Sequence, residues 1–252
     1  TAQVDPRAQL APDVCIGAYS VIGAQVQIGA GTRVEAHVVI EGNTSIGERN
    51  HIYSFNALGT APQDKKYAHE PTCLEIGDDN VIREFCTFNR GTVQDAGITR
   101  LGHRNWMMAY VHLAHDCVVG NDTIFANNAQ IAGHVHVEDF AILGGFTAVH
   151  QFCRIGAHSM TAMGTVLLQD LPPYVTAAGN PAQPHGINRE GLRRRGFSDA
   201  AILSLRHAYK DLYKRGLTLA TALKNIEQAS QNMPELTCLL RFLQADGRGI
   251  IR

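Results

Sequence analysis

A large apolar side chain falls on every sixth residue over most of this chain. One series runs Val4, Leu10, Ile16, Ile22, Ile28, Val34, Ile40, Ile46, Ile52 and Leu58, and another runs Leu101, Met107, Leu113, Val119, Phe125, Ile131, Val137, Leu143, Val149 and Ile155. A period of six matches neither the 3.6 of a helix nor the simple alternation of a half-buried strand. It predicts a chain that turns a corner every six residues. Three hexads then make one triangular coil of 18 residues, and coils stack at the strand spacing of about 4.8 Å. The position after the apolar residue is often glycine, as in Gly17, Gly23, Gly29, Gly47 and Gly59, which relieves crowding at the bend. Four residues after it comes a small or β-branched side chain, such as Ser20, Val26, Thr32, Val38 or Thr44, that packs beside the aliphatic one inside the prism.

Two stretches interrupt the series. From Thr60 to Glu75 the signal fades into TAPQDKKYAHEPTCLE, then returns at Ile76, Ile82 and Phe88. It breaks again over Gln94–Arg100, and beyond that point the phase is shifted by one residue. Both breaks predict loops projecting from the coils, and such loops tend to carry function. The first brings Gln63, Asp64 and Lys66 together. After Ile155 the repeat decays toward Pro172, Pro173, Pro181 and Pro184, and helical spacing takes over. Ser198 is placed to cap one helix that closes at Gly216, Thr218 a second, and a third starts at Pro234. The fold expected is mainly β: a left-handed parallel β-helix of hexapeptide repeats over 1–185, followed by a C-terminal α-helical domain over 186–252. Part of that domain's work is to cover the edge of the last coil.

Composition sharpens this picture. The 252 residues carry a net charge near −1, which argues against generic nucleic-acid binding. Aromatics make up only 7% while glycine occurs 24 times, a mixture suited to a tightly cornered β structure. The six cysteines, at 15, 73, 86, 117, 153 and 238, form no C-x-x-C pair, and without a secretory leader free thiols in the cytoplasm are expected. No apolar run approaches the length needed to span a bilayer. The chain opens on Thr1, and its true start is left open.

Residues 18 apart belong on one face, one coil above the other. His115, Gly133 and Gln151 therefore form one column, Asp116, His134 and Phe152 the next, and Asn127, Gly145 and Met163 a third on another face. A hexad prism also offers flat faces to copies of itself, so a parallel homotrimer with active sites in the grooves between subunits is expected. The motifs HLAHDCVVGN, ANNAQIAGHV, GGFTAVHQFCRIGAH and NREGLRRRGF, with the QDKKY loop, RGTVQ and the terminal RGIIR, closely resemble the UDP-N-acetylglucosamine O-acyltransferases that start lipid A synthesis. The resemblance covers nearly the whole chain. The hexads alone indicate only the broad acyltransferase superfamily.

The resemblance implies transfer of a (3R)-3-hydroxyacyl group from acyl carrier protein to the glucosamine 3-hydroxyl of UDP-GlcNAc, without a cofactor or metal. It casts His115 as general base, Asp116 as the group that sets its tautomer, and the Gly133 N–H as oxyanion donor. Gln63, Asp64, Lys66, His112, His134, His150 and Gln151 match positions that hold the sugar and pyrophosphate. Asn188, Glu190 and Arg195 match uridine and phosphate contacts, with Arg194 adjacent. The run Arg193, Arg194 and Arg195 also suits docking of an acidic carrier protein. Met163 matches the family's acyl-chain ruler, where a bulky residue favours a shorter, 3-hydroxydecanoyl-like chain. Asn89 stands where many members carry histidine, and one hexad near the N-terminus is missing.

Three alternatives remain at this point. The N-acyltransferase acting on UDP-3-O-acylglucosamine uses a similar helix and histidine but carries an N-terminal uridine-binding domain, whereas hexads here start at Val4. A γ-type zinc carbonic anhydrase would use His112, His115 and His134 as ligands, leaving the QDKKY loop without a purpose. The last is a non-catalytic β-helix scaffold. A diamino analogue of the sugar also stays open as acceptor.

Overall fold

The computed structural model describes residues 1–252. The chain winds as a left-handed β-helix whose three flat faces are sheets of nine, eight and ten strands, parallel except where Gln183–Ile187 pairs antiparallel with Val175–Ala178. Sheet one runs from Gln3–Val4 to Val166–Leu167, sheet two from Gln9–Leu10 to Arg154–Ile155, and sheet three from Cys15–Ile16 to Val175–Ala178, closed by Gln183–Ile187. Most strands hold only two residues, the first facing outward and the second into the prism. His112 and Leu113 are such a pair, with Leu113 fully buried. The apolar residues of the hexads stack into one continuous core that includes Ile22, Leu58, Phe88, Met107, Phe125 and Ile131.

Each coil is bonded to the next by backbone hydrogen bonds that repeat with the coil. Val21 N donates to Val38 O at 2.8 Å, and Val118 N to Val135 O at 2.9 Å. The small residues that follow the aliphatic ones serve the corners. Thr32 Oγ1 donates to Gly47 O at 2.9 Å and accepts from Asn50 N at 3.1 Å. Asn50, Asn80, Asn105 and Thr123 continue as a buried ladder in which each carbonyl oxygen accepts the next residue's backbone N–H at 2.9 Å. Satisfying these amides is obligatory in a corner closed to water.

Most corners place one residue at positive φ. Asp116 (58°), His134 (61°) and Phe152 (64°) do so at the corner between sheets one and two. Asp122, Phe140 and His158 do so at the second corner, between sheets two and three. Asn128, Phe146 and Gly164 do so at the third, between sheets three and one. The left-handed conformation is therefore a property of the corner and not a mark of chemistry.

The strand registers measure the two loops. Ala57 pairs with Val39 one coil below, at the ordinary repeat of three hexads, but its partner above is Thr87, five hexads further along the chain. The first loop therefore adds two hexads and leaves the phase untouched. Thr87 pairs in turn with His112, four hexads and one position on. The second loop adds one hexad and that single extra position, which is the shift of phase read in the sequence.

Four helices follow the prism: α1 (Arg189–Arg194), α2 (Asp199–Tyr213), α3 (Leu219–Ser230) and α4 (Glu235–Gln244). Ser198 and Thr218 cap α2 and α3 by accepting from Ala201 N and Thr221 N, as expected, and Pro234 precedes α4. Tyr209 of α2 and Ile251 extend the prism core beyond its last coil. The tail is fixed there by hydrogen bonds at Asp170, which also pairs with Arg154 at 2.9 Å. No helix is long and apolar enough to cross a membrane. A Phe125→Ala variant, which removes one of the largest fully buried side chains, is expected to lose about 3–5 kcal/mol. Urea unfolding at fixed protein concentration measures this, and a loss below about 1 kcal/mol would contradict a close-packed prism interior.

Candidate functional site

Both loops leave the same corner. Each follows a strand of sheet one, Ala57–Thr60 or Thr87–Asn89, and precedes a strand of sheet two. The next turns of that corner carry His115 with Asp116, then Gly133 with His134, then Gln151 with Phe152. The first corner thus gathers the predicted chemistry and roofs it with the only two insertions in the prism.

His115 and Asp116 form its centre. Nδ1 of His115 lies 2.9 Å from Asp116 Oδ2. With Nδ1–H donating to the carboxylate, Nε2 keeps its lone pair and faces outward beneath Gly133. A Cβ on Gly133 would lie 2.6 Å from His115 Cε1 and 2.8 Å from Nε2, so glycine is required for this approach. The Gly133 N–H has no partner within the chain, as at the equivalent slots of the neighbouring coils, and remains available to a ligand oxygen. The column predicted from the three-hexad repeat is therefore present.

Asp116 is almost wholly enclosed, at 2% exposure. Its carboxylate accepts from Thr92 N at 2.9 and 3.1 Å and from Thr92 Oγ1 at 2.6 Å, while its own N–H donates to Thr99 Oγ1 at 2.8 Å. Burial pushes the carboxyl up, but hydrogen bonds from His115 and Thr92 and the nearby His134 outweigh it and hold Asp116 below the ordinary carboxylate range. His134 stacks on Phe152 with ring centroids 4.4 Å apart and meets His115 edge-on at 5.0 Å. Its Nδ1 lies 2.8 Å from Asp95 Oδ2 in the second loop. Thr92, Thr99 and Asp95 were missed by sequence reasoning; the RGTVQ motif beside the phase shift was the signal that pointed to this loop. His115, Asp116 and His134 bring ligand-type atoms within 4.8 Å of one another, a set able to hold a metal ion. Here the Asp116 oxygens are already engaged by Thr92 and His115.

His112 lies one strand before the corner, facing out from sheet one. Burial and the neighbouring His115 lower its pKa against a hydrogen bond to the Thr87 backbone, and Thr87 Oγ1 lies 2.7 Å from Nδ1. His112 and Gln63 share a cavity of about 320 Å³ with Thr87, Tyr110, Asn128 and Gln130. In the first loop Asp64 accepts from Lys66 N at 2.9 Å, and the Lys66 side chain is exposed. Arg90 bridges the two loops, donating to Gly59 O and, at 3.1 Å, to Tyr67 Oη. Asn89 is buried and donates to Thr60 Oγ1 at 2.8 Å and Ala61 O at 3.1 Å, so it fastens the root of the first loop. His150 and Gln151 are exposed at the first corner, one coil above Ala132 and Gly133.

The remaining candidates lie elsewhere in a single chain. Asn188 and Arg195 belong to the second corner. Asn188 caps α1 by accepting from Gly191 N at 3.2 Å and donates to His158 O at 3.0 Å, a structural use the sequence reading did not foresee. Arg195 packs over the Phe140 ring and donates to Phe140 O at 3.2 Å, leaving buried Nη1 without a partner. Glu190 and Arg194 are exposed on α1. Met163 stands at the third corner, 78% exposed.

Asp116 sets a pH dependence. A carboxyl whose folded pKa is depressed contributes stability above its unfolded value of 3.8 and loses it as pH falls through the folded value. The stability difference between wild type and Asp116→Asn should therefore narrow as pH drops from about 5 to about 3. Parallel stability curves across that range would rule out the depressed carboxyl.

Comparison with known proteins agrees with this fold. A family model for UDP-N-acetylglucosamine O-acyltransferase, domain 2, matches residues 170–251. The acyl-(acyl-carrier-protein)–UDP-N-acetylglucosamine O-acyltransferase of Thiobacillus denitrificans is 63% identical over 252 residues, covering 100% of this chain and 98% of the relative. The solved structure of LpxA from Acinetobacter baumannii superposes with a TM-score of 0.98 at 49% identity, covering 100% and 98% of the two chains. The UDP-N-acetylglucosamine acyltransferase of Francisella novicida superposes at 0.97 with 37% identity, covering 100% and 92%. Identity at this level over full length leaves one assignment: the chain belongs to the acyl-(acyl-carrier-protein)–UDP-N-acetylglucosamine O-acyltransferase family.

Proposed function

We propose that this enzyme transfers a (3R)-3-hydroxyacyl group from acyl carrier protein to the 3-hydroxyl of UDP-GlcNAc, the opening step of lipid A synthesis, with His115 as general base. The observation that carries the reading is the pairing of His115 with Asp116 directly beneath the unpartnered Gly133 N–H. His115 Nε2 takes the proton of the sugar hydroxyl as its oxygen attacks the thioester carbonyl. The Gly133 N–H then stabilises the tetrahedral oxyanion. Attack has by then formed the new C–O bond; collapse restores the carbonyl, breaks the C–S bond and releases the carrier thiolate, which recovers the proton from His115.

The sugar nucleotide is held by Gln63, Asp64 and Lys66 of the first loop, by His112 on the outer face of sheet one, and by His134, His150 and Gln151 at the first corner. Asn188, Glu190, Arg194 and Arg195 complete the uridine and phosphate contacts from a second copy. A homotrimer is the assembly that unites them, because one chain spreads these residues over two corners of its prism. Exposed, stacked aromatics along the third corner support such packing: Tyr19, His37, Phe55, Phe85 and Tyr110 follow one another at centroid distances of 4.8–5.1 Å. The six unpaired cysteines support a cytoplasmic setting.

Met163 limits the acyl chain. A methionine this exposed fills no space in its own coil, so its bulk is free to close a groove along the outer surface of sheet one. A 3-hydroxydecanoyl-like chain is favoured. The test is incubation of purified protein with UDP-GlcNAc and 3-hydroxyacyl carrier proteins of graded length, with the product identified by mass and by the position of the ester. A 3-O-acylated product supports the reading, and no transfer to any acceptor sinks it. Met163→Gly should move the preferred chain toward greater length, since each added methylene is worth about 1–3 kcal/mol in such a pocket. An unchanged preference would remove Met163 as the ruler.

A further inference from the structure

The second loop does more than cover the site. It leaves sheet one at Asn89, makes a turn over Val93–Ala96 and returns at Ile98. Along this short path it meets both histidine partners of the first corner. Thr92 is 1% exposed and gives Asp116 its hydroxyl and its backbone N–H, the first at 2.6 Å. Asp95 reaches His134 Nδ1 at 2.8 Å through Oδ2, while its Oδ1 accepts from Ala96 N at 2.8 Å. The Asp95 N–H in turn donates to Thr92 O at 3.3 Å, so the two side chains are tied by one turn of backbone.

Gly91 makes this approach sterically feasible. A Cβ there would strike Ile98 N and Gly97 C and would lie 2.7 Å from Asp116 Oδ1. The loop backbone therefore rests against the carboxylate, and only glycine allows it to do so. The positions of Gly91, Thr92 and Asp95 have no part in the hexad pattern and none in the core. The side chains of Thr92 and Asp95 reach Asp116 and His134.

We propose that the turn from Gly91 to Gly97 is a positioning clamp, in which Thr92 fixes Asp116, and through it His115, while Asp95 fixes the ring of His134. The proposal rests on the reading of His115 as the base. None of the clamp residues touches substrate; each acts through the residue it holds. With Asp95 accepting from Nδ1–H, the unprotonated nitrogen of a neutral His134 is Nε2, which lies 3.9 Å from Asp116 Oδ2. The clamp thereby gives each imidazole its own carboxylate at Nδ1. Asp95 is exposed, so its removal leaves the fold intact while releasing the ring.

The test combines ring spectroscopy with kinetics on the full-length protein. With isotope-labelled histidine nitrogens, wild-type His134 should report a protonated Nδ1. In Asp95→Ala the ring should move to the Nε2–H form that free imidazole side chains prefer. Thr92→Val should lower turnover about tenfold with the KM for the sugar nucleotide changed less than about twofold, and Thr92→Ser should restore it, because the lost element is a hydroxyl that orients the base's partner. The thermal midpoints of these variants check that each is folded. An unchanged His134 ring in Asp95→Ala overturns the proposal, as does wild-type turnover in Thr92→Val or a loss that serine does not rescue. If the wild type transfers no acyl group yet its ring signals respond as described, the clamp stands and the proposed reaction falls.

Discussion

Everything in this molecule depends on the hydrogen-bonded stacking of one coil on the next. A residue's N–H reaches the carbonyl of the coil beside it, and away from the two loops the register holds at three hexads until the last coil, where Met160 pairs with Thr176. A side chain at a corner therefore has a determined neighbour above and below. Hydrophobic packing fills the prism, but the backbone repeat decides which side chains meet. The proposed base and the proposed oxyanion donor lie in adjacent coils at strand spacing, a separation suited to a hydroxyl nucleophile and a carbonyl between them.

That constraint explains why so much was legible in the sequence. The positions of Ile22, Leu58, Leu113 and Phe125 in the core follow from the hexads, and the His115–Gly133 column follows from counting three of them. The loops were legible in existence but not in effect. Their lengths became readable only from the pairing of Thr87 with Ala57 on one side and His112 on the other. Once Leu58, Phe88 and Leu113 are seen as one column, both loops and the histidine pair fall at the same corner.

The contacts that leave the repeat were not legible. Thr92 and Asp95 lie in an irregular turn, where no period relates sequence distance to space. Asn188 and Arg195 are similar cases. The sequence resemblance pointed to a ligand, while the structure spends the Asn188 amide on the cap of α1 and on His158 O, and places Arg195 over Phe140. Asn89, a departure from the resemblance, has a local reason: its amide secures the root of the first loop. Substrate identity came from resemblance and from relatives, since no repeat distance encodes a sugar or an acyl chain.

The account stands on one imidazole. The most direct measurement is the turnover of His115→Ala against wild type on the same acyl carrier protein and UDP-GlcNAc, with sugar-nucleotide affinity measured separately. Loss of the base should cost about 10²–10⁴-fold in turnover with affinity largely kept. Turnover within a few-fold of wild type would contradict the account.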